Sequence, residues 1–120
     1  MSQNDPASST KRSESDTDSI APTEHVVLDD LEGRPHAHLF EAEPMTIRLT
    51  LEEGQSVLAH RHPDRRIVLY VVEGELSVTL GDTDHAVRAG EVVRFDGNQD
   101  VSPMAREDTV ALIVLAERTT

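Results

Sequence analysis

Gly54-Gln-Ser-Val-Leu-Ala-His60-Arg-His62-Pro-Asp-Arg-Arg-Ile67-Val-Leu-Tyr-Val-Val72-Glu-Gly74 is the stretch on which the fold turns. Its second half, Ile67 to Val72, is apolar on both faces of an extended chain. Successive strand side chains alternate, so Ile67, Leu69 and Val71 point one way and Val68, Tyr70 and Val72 the other. Only one of those faces can line the interior of a small barrel. The other calls for a second sheet layer or another subunit, so a homodimer is expected, with a strand sandwiched inside one protomer as the alternative.

Outward from this stretch, short apolar runs alternate with turn residues: Val26–Leu28, Met45–Leu51, Ser56–Ala59, Leu76–Leu80, Val92–Phe95 and Thr109–Ala116. Met45, Ile47, Leu49 and Leu51 alternate with Thr46, Arg48 and Thr50, the pattern of a half-buried strand. Glu53-Gly54, Glu73-Gly74-Glu75, Leu80-Gly81-Asp82 and Asp96-Gly97-Asn98 read as turns. No stretch sustains helical spacing. The sequence therefore predicts an all-β sandwich or barrel over residues 23–120. Residues 1–22 are rich in Ser and charge and hold one large aliphatic, Ile20, beyond Met1. They are expected to be a disordered acidic, Ser-rich tail that removes no core when deleted.

Composition narrows the function classes. The 120 residues carry 23 acidic and 11 basic side chains, a formal charge of −12, which argues against gripping a phosphate backbone. No nucleic-acid partner is expected. Ten of the basic residues are Arg, and Lys11 is the one lysine. Abundant acid with scarce lysine reads as a halophilic, haloarchaeal-type protein whose self-repulsion is relieved by salt, against the alternative of an ordinary acidic protein. No apolar run approaches a membrane span, and the opening MSQNDPASST has no signal-peptide core, so no membrane partner is expected. The absence of cysteine excludes thiolate chemistry and suits a reducing, cytoplasmic location.

His60 and His62, two apart on a predicted strand, project to one face with Cα atoms about 6.5–7 Å apart. That spacing can put two neutral nitrogens on one transition metal. Two histidines are not a complete site, because zinc enzymes commonly use three protein ligands and non-haem iron two His and a carboxylate. His36-Ala37-His38 repeats the spacing upstream and can line a barrel mouth, or lie at an exposed strand edge. His85, in Gly81–His85, reads as part of a solvated hairpin. Arg61, Arg65 and Arg66 can meet an anion at a pocket rim or pair with the abundant acids. Arg48 and Arg94, in apolar strands, must be edge-exposed or paired. Tyr70 can offer its hydroxyl to a pocket or sit at an interface. No Ser-His-Asp arrangement, phosphate-cradling glycine loop or stacking surface is evident.

The spacing of these residues resembles the cupins. Their first motif runs Gly, five residues, His-x-His, four residues or three, Glu, six residues, Gly; here Gly54, His60, His62, Ile67 and Gly74 occupy those positions. The second runs Gly, five residues, Pro-x-Gly, two residues, His, three residues, Asn, and aligns to Gly90, Asp96-Gly97-Asn98, Val101 and Ala105. The resemblance spans roughly Glu43 to Ala116. It implies a small single-domain cupin of the RmlC-like type: a double-stranded β-helix, or jelly roll, of two packed antiparallel sheets. It also implies that His60 and His62 are two of four metal-ligand positions, the other two being Ile67 and Val101. Two branched aliphatics remove half of the donors and dry the site.

The expectation is a degenerate member of the family that binds a small molecule in a mostly apolar barrel. His60, His62, Arg48 and Tyr70 are the candidate ligand-binding residues. No cofactor is expected beyond a divalent ion (Zn, Fe, Mn or Ni) held weakly, if at all, by His60 and His62. The alternatives are a metal-dependent dioxygenase or isomerase with a third ligand drawn from His36 or His38, and a structural or regulatory dimer with a vestigial pocket.

Overall fold

The structure, a computed structural model, describes residues 20–118. The expected tail therefore lies outside the described residues except for 20–22, which are exposed. Apart from one 3-10 turn at Leu28–Asp30, the regular structure is strand: β1 (His36–His38), β2 (Met45–Leu51), β3 (Arg65–Glu73), β4 (Glu75–Leu80), β5 (Thr83–Arg88), β6 (Val92–Asp96), β7 (Val101–Ala105) and β8 (Thr109–Glu117). They form two antiparallel sheets, one ordered β1-β2-β8-β3-β6 and the other β5-β4-β7. The expected double-stranded β-helix is the fold. Among the described residues no helix is long and apolar enough to cross a membrane.

The core lies between the sheets and follows the period-two pattern. Leu49 and Leu51 of β2, Leu69 and Val71 of β3 and Ala111 of β8 meet Leu76, Val78, Val87 and Ala105 of the smaller sheet. At one end this packing is solid. At the other, beyond Leu49, Val71 and Ala105, the two sheets part around a cavity.

Several expectations are corrected. Met45–Leu51 is a strand, but not a half-buried one, because Thr46 and Arg48 on its outer face are buried as well. Residues 28–33 lie over that face, and Arg48 donates to the carbonyl oxygens of Leu28, Leu31 and Gly33. Arg48 is thus neither edge-exposed nor paired with an acid. The run Val26–Leu28 forms no strand. Ser56–Ala59 is not a regular strand either; the chain from 54 to 60 runs beside β7 through two single bridges, Ser56 to Met104 and His60 to Val101. His85 sits within β5, past the hairpin at Gly81 and Asp82, and is exposed.

The outer face of β3 is only partly covered by the described residues. Tyr70 is 38% and Val92 57% exposed, while Val68, Leu112 and Val114 beside them are half-buried.

Candidate functional site

The cavity between the parted sheets has a volume of about 180 Å³. Each sheet contributes inward residues near one end of its strands. Ile47 of β2, Ile67 and Leu69 of β3, and Ile113 and Leu115 of β8 form one wall. Register makes this wall continuous, since Leu69 lies beside Ile113 and Ile113 beside Ile47. Phe95 of β6, opposite Ile67 in the ladder, closes one side. Val101 and Pro103 of β7, with Val57 of the segment bridged to it, form the facing wall. Three histidines complete the lining: His36, His60 and His62.

Backbone contacts fix the histidine segment. His60 N–H donates to the Val101 carbonyl at 3.2 Å, and Val101 N–H returns the bond at 2.9 Å. His62 N–H donates to the Gly97 carbonyl at 2.7 Å, and Gly97 N–H to the Arg65 carbonyl at 2.9 Å. Gly97 is needed for this approach, because a Cβ there would lie 2.5 Å from the His62 carbonyl oxygen. The two imidazoles meet edge to face with ring centroids 4.6 Å apart. The Nδ1 of His60 lies 2.9 Å from the carbonyl oxygen of Leu58.

Two of the three imidazoles are biased toward the neutral form. Burial, then the neighbouring His60 and His38 imidazoles, hold His36 below the ordinary imidazole pKa. Burial, then His60, Arg65 and His36, do the same for His62. Two of the arginines flanking the histidines, Arg61 and Arg65, turn to acids outside the cavity. Arg65 binds Glu43 through both terminal nitrogens at 2.7 and 3.0 Å and donates to the Leu115 carbonyl, and Arg61 pairs with Asp100 at 2.9 Å.

Of the four residues expected to bind a ligand, the structure brings His60 and His62 to the cavity and leaves two outside it. Arg48 points to the opposite face of β2 and is spent on the 28–33 segment. Tyr70 alternates away from Leu69 and Val71 and faces outward. His36 lines the cavity, whereas His38 does not. The aliphatic walls at Ile47, Phe95 and Ile113 carried a signal in their period-two positions, but nothing local marks which end of each strand opens. The Leu58 carbonyl that orients His60 has no signature in a side-chain sequence.

The donor set decides whether the family's metal fits here. The positions of the carboxylate and the second-motif imidazole hold Ile67 and Val101, and both side chains line the cavity as bare hydrocarbon. Among the described residues no group of three His, Cys, Asp or Glu side chains is placed to hold a metal ion, even with His36 on the same wall. Three imidazoles that are not placed to share one ion, against nine apolar residues, do not fit a resident metal.

Comparison with known proteins agrees with the fold. The chain aligns along 82% of its length with KdgF from Halomonas sp., at 15% identity, 96% coverage of that chain and a TM-score of 0.69. The TT1209 protein of Thermus thermophilus aligns over 81% of this chain and 100% of its own, at 22% identity and a TM-score of 0.69. An RmlC-like cupin from Shewanella frigidimarina aligns over 80% and 93%, at 20% identity and a TM-score of 0.65. None of the functionally curated proteins matches the chain. The cupin domain model matches residues 47–116, which span both glycine-bounded motifs and the whole cavity wall from Ile47 to Leu115, so this chain belongs to the cupin family.

Proposed function

We propose that this cupin is a non-catalytic binding protein for a small, mostly apolar molecule, held in the barrel cavity with His60 and His62 as its polar anchors. One observation carries the reading: nine of the twelve residues lining the cavity are apolar, and two of those nine, Ile67 and Val101, replace metal donors. An apolar cavity of about 150 Å³ is large enough to bind benzene, and this one is larger. Burial of a ring there is driven by roughly 25 cal/mol for each Å² of apolar surface removed from water.

The experiment is a titration of methyl-labelled protein with benzene or toluene, followed by NMR. The reading expects saturable shifts at Ile67, Leu69, Val101 and Leu115, and loss of those shifts when Val101→Phe fills the cavity. Shifts confined to the outer sheet face, or none, would remove it.

The same proposal has two copies associating through the outer face of the larger sheet, where Val68, Tyr70, Val92, Leu112 and Val114 form a contiguous apolar stripe by register. Sedimentation of the wild type against Tyr70→Glu tests this; a wild-type monomer would overturn it.

A further inference from the structure

The hydrogen bond of His60 determines what that residue can offer a ligand. Its Nδ1 is 2.9 Å from the Leu58 carbonyl oxygen. A carbonyl only accepts, so in the neutral ring the proton sits on Nδ1 and Nε2 keeps its lone pair. The edge-to-face contact with His62, at an interplanar angle of 77°, holds the ring plane. The ring itself lines the cavity. His60 is itself exposed, so it is a fixed acceptor at the rim of an apolar chamber.

An acceptor in that position selects a ligand that donates. At His60 a ketone, an ether or a carboxylate would bring a lone pair to a lone pair, whereas a hydroxyl can donate there and still accept from an N–H of His36 or His62. An ammonium group would donate, but no carboxylate lines the cavity to compensate its desolvation. A hydroxyl donates without bringing a charge. Apart from the His36 and His62 imidazoles, the remaining wall, formed by residues such as Ile67, Phe95, Val101 and Ile113, offers no hydrogen-bonding side chain and suits a hydrocarbon body.

We propose that the cavity takes a ring-sized apolar alcohol or phenol whose O–H donates to Nε2 of His60. This rests on the apolar-cavity reading above and adds the chemical class of the ligand. The hydroxyl is what separates the ligand from an isosteric hydrocarbon, because a hydroxyl buried without a partner is penalised.

The test is a cycle of two probes and two proteins: phenol and toluene, each titrated into the wild type and into His60→Ala. The phenol-to-toluene affinity ratio is expected to fall roughly tenfold in the variant, the effect of one hydrogen bond; the ratio cancels the change in cavity shape that both probes share. A ratio that His60→Ala leaves unchanged would overturn the hydroxyl assignment and leave the cavity reading intact. Failure of both probes to bind the wild type would overturn the cavity reading itself. A long-range proton–nitrogen spectrum of the wild type adds a readout independent of whether the variant folds. It is expected to show His60 protonated on Nδ1, and protonation on Nε2 would overturn the proposal.

Discussion

His60 and Val101 face each other across an isolated antiparallel bridge and exchange both backbone hydrogen bonds. The bridge aligns the first histidine of the first motif with the position where the family's second motif carries its own. Both side chains line one cavity. Geometry for a shared site is thus retained, while the chemistry at Val101 is a pair of methyl groups. Ile67, on the facing sheet, completes the same substitution of hydrocarbon for donor.

Gly97 positions His62, so enlarging it should disturb the cavity from a distance. Gly97→Ala puts a methyl group against the His62 carbonyl and the Arg65 carbonyl, both of them backbone atoms that cannot swing aside. Overpacking of this kind costs roughly 1–3 kcal/mol. Chemical denaturation should show that loss, with resonance changes centred on His60 and His62. A neutral substitution would mean that the loop around residue 62 is more yielding than its contacts indicate.

Arg48→Met should detach the covering segment. The guanidinium is buried, has no carboxylate partner, leaves its Nε unpaired, and binds three carbonyls of residues 28–33. Hydrogen bonds to a charged donor contribute about 1.5–3 kcal/mol each before the cost of burying the charge. A net loss of about 2 kcal/mol is expected, together with faster proteolysis before Gly33. Unchanged protection of that segment would show that the carbonyl cluster is not what holds it.

The lowered pKa values of His36 and His62 set a pH dependence with a definite sign. Each native imidazole binds a proton less readily than its unfolded counterpart, whose value is about 6.5. Stability is therefore complete above that value and declines as pH falls from it through the lowered native values. Most carboxylates remain ionised in this window, so the imidazoles dominate it. Denaturation midpoints should drop between pH 8 and pH 5.5 (roughly the span of imidazole titration), and His36→Gln with His62→Gln should flatten the drop. A midpoint that rises as pH falls through the window would contradict the assignment.

Salt should stabilise the fold. The chain carries 23 acids, and among the described residues five ion pairs occur, all at least partly exposed. Such pairs contribute at most about 1 kcal/mol each, so screening them removes little. Screening the excess negative charge removes more, with a Debye length of about 3 Å at 1 M. Tm should rise from dilute buffer to molar KCl; a flat or falling Tm would place the chain with ordinary acidic proteins.

The fold was legible where burial imposes a period of two. Met45–Leu51 coincides with β2, and Ile67–Val72 and Thr109–Ala116 lie within β3 and β8. Strand β5 was not legible, because only Val87 of its six residues is buried and the rest read as a polar turn. Strand β7 is interrupted in sequence by Pro103, which tolerates its place because that edge is bridged loosely to residues 54–60. The histidine pair was legible from its spacing, and its two missing partners from the resemblance to the cupin motifs. The burial of Arg48 was not, because the carbonyls that hold it lie 15 to 20 residues away along the chain.

The most direct measurement of the central claim is thermal unfolding with and without micromolar Zn²⁺ or Ni²⁺, run on the wild type and on the double variant Ile67→Glu, Val101→His. The variant returns the family's four donors to the walls around His60 and His62. Without metal it should be less stable by about 2–3 kcal/mol, the scale for a buried polar group left without a partner. Metal should restore that stability in proportion to ln(1 + [metal]/Kd), and a further His60→Ala should abolish the response. The wild type should not respond at the same metal concentrations. Equal stabilisation of wild type and variant would contradict the account, and would mean that His60 and His62 hold a metal with a third ligand after all.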